Sequence, residues 1–204
     1  GLRLCLIEEI EAHLHPQAQL RMIDFLQKEK GQFILSTHST TLASKINLAN
    51  LILCYENKIF PLSYGQTELE QDDYKFLERF LDATKANLFF AKGVIIVEGD
   101  AENILLPTLA EILDRKLHEY GVSIVNVGSK ALLRYAKILL KKNKIESPLK
   151  VAIVTDLDIA QYRANDGSIK TKKRRQTGLI PDIEDEKQSL TAEFNTNDNN
   201  MKVY

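Results

Sequence analysis

The chain has 204 residues, 44% of them hydrophobic, with 9 Gly, 5 Pro and a formal net charge of −1. That composition is enough for one large domain, or one domain and part of another, and it excludes a disordered or disulfide-stapled chain. A balanced charge gives no global attraction to nucleic acid, so any such contact must come from local patches.

In chain order, residues 2–7 form a short apolar run that reads as a strand, and residues 16–30 have helical spacing with Leu20, Ile23, Phe25 and Leu26 near one face. Gly31 is expected as the glycine that ends this helix, and 32–36 as a second buried strand leading into Thr37-His38-Ser39. Residues 51–55 and 58–62 read as a strand pair turning at Glu56-Asn57. Cys5 and Cys54, each within an apolar stretch, are expected as small buried strand residues rather than a disulfide or metal site. An acidic stretch at Glu68, Glu70, Gln71, Asp72 and Asp73 precedes a helix expected over about 73–90.

From Gly93 strands and helices alternate: strand 93–98, helix 101–119, strand 121–127, helix 129–142 and strand 150–155. Alternation of this kind predicts an α/β fold with a parallel sheet flanked by helices, whose ligands gather at the carboxyl ends of the strands. Beyond Asp158 the chain reads as polar and irregular, with Lys170, Lys172, Lys173, Arg174 and Arg175 forming a basic run and 195–200 nearly all Asn and Asp. No apolar stretch approaches the roughly 20 residues that cross a bilayer, and no signal peptide opens the chain, so a soluble cytoplasmic protein is expected. Gly1-Leu2-Arg3 leads straight into a strand, as if the chain were cut from something longer.

Two apolar strands end in acids. Val94–Val97 runs into Glu98-Gly99-Asp100-Ala101-Glu102, and Val151–Thr155 runs into Asp156-Leu157-Asp158. Taken singly, each acid reads equally well as a helix cap or surface residue. Together, Glu98, Glu102, Asp156 and Asp158 predict a single cluster of negative charge, tolerable only if cations neutralise it. Oxygen ligands suit Mg2+ or Mn2+, and two ions roughly 4 Å apart would activate water and stabilise the leaving oxygen at phosphorus. Glu98 is the candidate general base, with Glu102, Asp156 and Asp158 as the main ligands.

A strand ending in Glu-Gly-x-x-Glu, followed about fifty residues on by a strand ending in Asp-x-Asp, resembles the Toprim domain. That fold is shared by topoisomerases, bacterial primases, recombination mediators and the OLD (overcoming lysogenization defect) nucleases. The fuller string Phe89-Phe90-Ala91-Lys92-Gly93 through Glu102 is most similar to the OLD nucleases, a family that includes the Gabija defence endonuclease. Leu4-Cys5-Leu6-Ile7-Glu8-Glu9-Ile10-Glu11-Ala12-His13-Leu14-His15-Pro16 in turn resembles the Walker B and D-loop region of ABC-type ATPases. The resemblance implies that Glu8 serves Mg2+, that Glu9 polarises the attacking water, and that His38 in Ser36-Thr37-His38-Ser39 senses the γ-phosphate. It places His13 and His15 at a nucleotide-sandwich dimer interface rather than on a metal. Family members often carry Asp where Glu8 stands, so metal geometry or hydrolysis rate is expected to differ. No Gly-x-x-x-x-Gly-Lys-Ser/Thr loop lies in these residues, so this stretch alone is not expected to hydrolyse ATP.

The implied organisation is a partial ABC-type ATPase domain at 1–65, a helical linker at 66–92 and a Toprim nuclease domain with a polar, basic tail at 93–204. The implied activity is metal-dependent DNA cleavage or nicking, governed by ATP in the intact protein and linked to antiphage defence or DNA processing. Implied partners are DNA, a second copy of the chain through the ATPase domain, a helicase-like protein, and no membrane. The basic run, Lys172 to Arg175 above all, reads either as a solvated charge run or as a grip on DNA phosphates. Such nucleases use a further acid and a lysine after the Asp-x-Asp strand; Glu184 and Glu193 are both candidates for the acid, and Lys130 reads as a surface lysine at a helix start. Rival readings are another Toprim enzyme, such as a topoisomerase or primase, and a non-cleaving ATP-gated scaffold. No tyrosine arrangement suggests a topoisomerase, a primase would carry no ABC-like segment in front, and a scaffold gains nothing from so many like charges.

Overall fold

The computed structural model describes residues 3–128, 131–142, 147–155, 160–163, 169–172, 183–195 and 200–204, with the backbone alone for 160–163, 169–172 and 183–187. The first unit opens with β1 (Leu4–Ile7), α1 (Pro16–Leu26), β2 (Gln32–Leu35) and α2 (Thr40–Lys45). β1 and β2 pair in parallel, with Cys5 opposite Phe33 and Ile7 opposite Leu35. Pro at the first turn of α1 suits a position whose amide has no intrahelical partner, and His15 caps it by accepting from the Gln17 amide. Ile10, Ile23 and Leu42 form a small core with Met22, Leu26, Leu35 and Ile46 around it.

Three local expectations fail in this region. Helix α1 ends at Leu26 with Gln27 as its cap, so Gly31 does not terminate it. Gly31 instead faces the Arg3 carbonyl, which would lie 3.2 Å from an added Cβ. Phe25 is exposed, because α1 buries only one stripe against a small partner surface. Cys5 and Cys54 are free and exposed, because β1 and β3 each have a face with nothing packed on it.

Strands β3 (Ile52–Tyr55) and β4 (Lys58–Pro61) form an antiparallel hairpin. Its turn residues Glu56 and Asn57 have φ of 45° and 62°, the two positive values a tight primed turn needs. Helix α3 (Gln71–Phe80) starts with a capping box between Glu70 and Asp73. The expected helix over 73–90 is interrupted because the Asp82 carboxylate accepts from the Lys85 amide at 2.9 Å and starts a separate 3-10 turn, Lys85–Phe89.

The second sheet is β5 (Gly93–Val97), β6 (Val122–Asn126), β7 (Lys150–Val154) and β10 (Met201–Val203), all parallel in the order β10-β7-β5-β6. Helices α4 (Asp100–Ile112), α5 (Leu132–Ile138) and α6 (Ile183–Phe194) belong to the same half, and β8 (Ala160–Arg163) pairs with β9 (Ile169–Lys172) as an antiparallel ribbon. Helix α4 is shorter than the expected 101–119. Asp114 turns left-handed at φ 54°, and the Arg115 amide closes back on the Ala110 carbonyl at 2.8 Å. The tail expected to be irregular supplies α6 and the edge strand β10. Phe194 and Met201 from that tail are fully buried in the main core beside Ile96, Leu132 and Ile153. No described helix is long and apolar enough to cross a membrane.

Candidate metal and switch sites

Parallel pairing puts Val97 opposite Val154 at the carboxyl edge of the sheet, so Glu98 and Thr155 leave their strands side by side. The Thr155 hydroxyl donates to Glu98 Oε1 and fixes that carboxylate at the edge. Gly99 follows as the N-cap of α4, with Asp100 and Glu102 in the helix's first turn, where the helix dipole favours negative charge. The Glu102 carboxylate folds back over Gly99: a Cβ there would lie 3.2 Å from Glu102 Oε2, so a larger residue would crowd it. Asp100 is held sideways by Asn126, whose amide donates to Asp100 Oδ1 at 2.6 Å while its own Oδ1 accepts from the Gly128 amide at 2.9 Å.

Glu98 and Glu102 are thus placed on adjacent elements at one edge of the sheet. Both are partly exposed and offer only oxygen, the donor chemistry of a hard divalent cation. Asp156 and Asp158 follow Thr155 in the chain and lie outside the described residues, as do Lys130, Lys173, Arg174 and Arg175. Among the described residues no group of three or more His, Cys, Asp or Glu side chains forms a metal cage. Lys170 and Lys172 fall on β9 and Glu184 in the first turn of α6, with their backbones alone described.

Topology separates the two downstream acids. Glu193 pairs with Lys137 Nζ at 3.3 Å, beside a polar cleft of about 420 Å3 that also takes in Glu68, Glu70 and Ser189. Lys137 lies in the last turn of α5, a helix that has already run back from the carboxyl edge. Glu184 is nine residues earlier in α6, about 13 Å along the helix axis at about 1.5 Å per residue.

In the first unit Glu8 and Glu9 are both exposed at the end of β1, and Glu9 adopts φ 46°, an uncommon setting for a residue with a side chain. Its amide donates to Ser36 Oγ at 3.2 Å. Glu11, which had no role at the level of sequence, bridges to the loop after β2. Its carboxylate accepts from the Thr37 hydroxyl at 2.8 Å and from the His38 amide at 2.6 Å. Burial pushes the Glu11 carboxyl up, but the His38 amide, the Thr37 hydroxyl and the nearby imidazole outweigh it and hold its pKa below the ordinary value. His38 is exposed, with its ring centroid 6.5 Å from that of Phe90. Thr155, Asn126 and Glu11 all escape sequence reasoning because their partners lie 57, 26 and up to 27 residues away. The local signals were slight: Thr155 adjoins Asp156, Asn126 ends a strand, and Glu11 lies two residues after Glu9.

Residues 89–158 match the family described as "Overcoming lysogenization defect protein-like, TOPRIM domain", and residues 2–43 match the AAA ATPase domain. Endonuclease GajA of Bacillus cereus strain HuB5-5 is 28% identical over 187 residues, covering 78% of this chain and 26% of its own length. The OLD nuclease of Thermus scotoductus is 28% identical over 138 residues, covering 62% of this chain and 26% of its own. The solved C-terminal region of the Xanthomonas campestris pv. campestris OLD protein aligns with a TM-score of 0.32 at 36% identity, across 35% of this chain and 33% of that one. The chain spans about a quarter of the length of the curated relatives it matches.

Proposed function

We propose that this chain, whose residues 89–158 match an OLD-like Toprim domain and residues 2–43 an AAA ATPase domain, belongs to a metal-dependent DNA endonuclease whose cleavage is governed by ATP in the intact protein. The observation that carries this reading is the pairing of β5 with β7, which sets Glu98 against Thr155 at one sheet edge. Asp156 follows Thr155 by a single peptide unit. In this reading Glu98, Glu102, Asp156 and Asp158 hold Mg2+ or Mn2+. The ions supply a polarised water and charge neutralisation at phosphorus when bound.

The chain's own residues do the rest. Glu98, steadied through one oxygen by Thr155, receives the proton of the attacking water. Asn126 restrains Asp100 and keeps the start of α4, and hence Glu102, in place. Glu184 is preferred to Glu193 as the additional acid, because Glu193 is already paired with Lys137. Lys172, Lys173, Arg174 and Arg175 supply phosphate contacts that position DNA without reading its sequence. Glu8, Glu9 and His38 serve the nucleotide in the longer protein, which pairs with a second copy there. A helicase-like partner and an antiphage role belong to the same reading only as what the resemblance to the OLD nucleases implies.

Supercoiled plasmid incubated with the protein and Mg2+ or Mn2+ should become open circles, and EDTA should abolish the conversion. Glu98→Ala and Asp156→Ala should each lower the rate by about 100-fold or more. Cleavage equal to wild type in both variants removes the nuclease reading and favours a scaffold that binds DNA without cutting it.

A further inference from the structure

One polar network ties the loop after β1 to the loop after β2. Glu9 donates its amide to Ser36 Oγ at 3.2 Å, and Glu11 takes the Thr37 hydroxyl and the His38 amide on its two separate oxygens. Thr37 Oγ1 in turn accepts from the Ser39 amide at 3.0 Å, and the Ser39 hydroxyl donates to Gln19 Oε1 at 2.6 Å. Gln19 is a buried polar residue, and it closes the circuit by donating to the Leu14 carbonyl at 2.9 Å. Among the described residues, Glu11 alone takes a hydrogen bond from the His38 backbone from outside its own loop, so its carboxylate fixes where that residue stands.

Where His38 stands matters because of its neighbour. Its ring lies beside Phe90, the cap of the 3-10 turn that leads into β5. Helix α2, immediately after the His38 loop, packs on the same 3-10 turn. From Phe90 the chain runs directly through β5, whose residues are tied on both sides to β6 and β7, and ends at Glu98. We infer that Glu11 is a positioning residue: by clamping Thr37 and His38 it sets the His38 ring against Phe90, and so holds the ATPase-derived segment in register with the strand that delivers Glu98. The assignment deepens the proposed function and rests on reading Ser36–Ser39 as the switch segment. The charged contact brings both halves of the clamp together with acceptor-only geometry, which no neutral residue of shorter reach reproduces.

The test uses the whole chain and is independent of cleavage. Amide exchange of Thr37–Ser39 and the His38 ring-proton resonances are followed by NMR in wild type, Glu11→Ala, Glu11→Gln, Thr37→Val and Phe90→Ala. Glu11→Ala should speed His38 amide exchange about 10-fold or more and move the His38 ring resonances toward those of Phe90→Ala. Glu11→Gln keeps an acceptor for the His38 amide and should restore most of the protection. Thr37→Val removes one donor only and should give an intermediate result, which carries the test if Glu11→Ala fails to fold. Unchanged His38 exchange in Glu11→Ala, or faster exchange with ring resonances unmoved, overturns the assignment. Failure of the plasmid assay would sink the nuclease reading while leaving these spectra to judge Glu11 separately.

Discussion

The pairs β1–β2 and β5–β7 are built alike: both are parallel, and in both an apolar strand runs into carboxylates. Their burial differs sharply. Leu4, Leu6 and Ile34 are 58%, 70% and 53% exposed, whereas Ile96, Val97 and Ile153 are at 0%. The first pair has a small cluster on one face and, among the described residues, no further strand, while β5 is flanked by strands on both edges, with α5 packed on it. An apolar run that ends in acids therefore reports a strand and its terminus, but not whether that strand is interior. Interior status requires cover on both faces, and that cover comes from elsewhere in the chain.

Substitutions can break or sharpen the contrast. Ile96→Ala should cost about 2–5 kcal/mol in urea unfolding, because β5 cannot close over the lost methyl groups, while Leu6→Ala should stay within about 0.5 kcal/mol. Equal costs at the two sites would erase the distinction. A smaller effect tests how helix α3 is fastened to α5. Tyr135 in α5 donates to the Phe80 carbonyl at the end of α3 at 3.0 Å, and Tyr135→Phe should cost about 1 kcal/mol.

The same phenol gives a pH signature. Burial, with the Asp82 carboxylate adding to it, pushes the Tyr135 pKa up to about 12. A folded pKa above the unfolded value of about 10 means its contribution is fully present below about pH 10 and lost as pH rises toward 12. Tyr55 and Tyr74 are also raised by burial, so ultraviolet titration should show one fewer late-ionising tyrosine in Tyr135→Phe than in wild type. An effect of similar size is expected at Arg134, which pairs with Asp73 at 3.2 Å and lies 4.5 Å over the Phe76 ring. Arg134→Ala should cost about 1 kcal/mol, since the guanidinium is still partly in water. A cost above that of Ile96→Ala would reverse the ranking of core over seam.

Much of this architecture was legible beforehand. The strands at 93–97 and 151–154 are continuous apolar runs, the strand at 122–126 carries Val122, Ile124 and Val125, and the hairpin turn at Glu56-Asn57 is signalled by Asn57, a residue that tolerates positive φ. The spacing of Glu98 and Glu102 was enough to put one at a strand end and the other in a helix's first turn. Other features left no such trace. Three residues, Met201–Val203, join the sheet after an Asn-rich stretch, because they meet an open edge of β7 rather than because of any local pattern. The one long helix expected over 73–90 is two pieces, because Asp82 competes for a backbone amide.

Local chemistry alone determined where strands run, where they stop and which carboxylates stand at their ends, since those depend on side chains a few residues apart. Tertiary structure decided that β1 stays open while β5 is enclosed, that Glu193 is taken by Lys137, and that Glu11 holds His38. Each of those outcomes depends on groups far apart in sequence meeting within hydrogen-bonding or packing distance, and a one-dimensional pattern carries no record of such meetings.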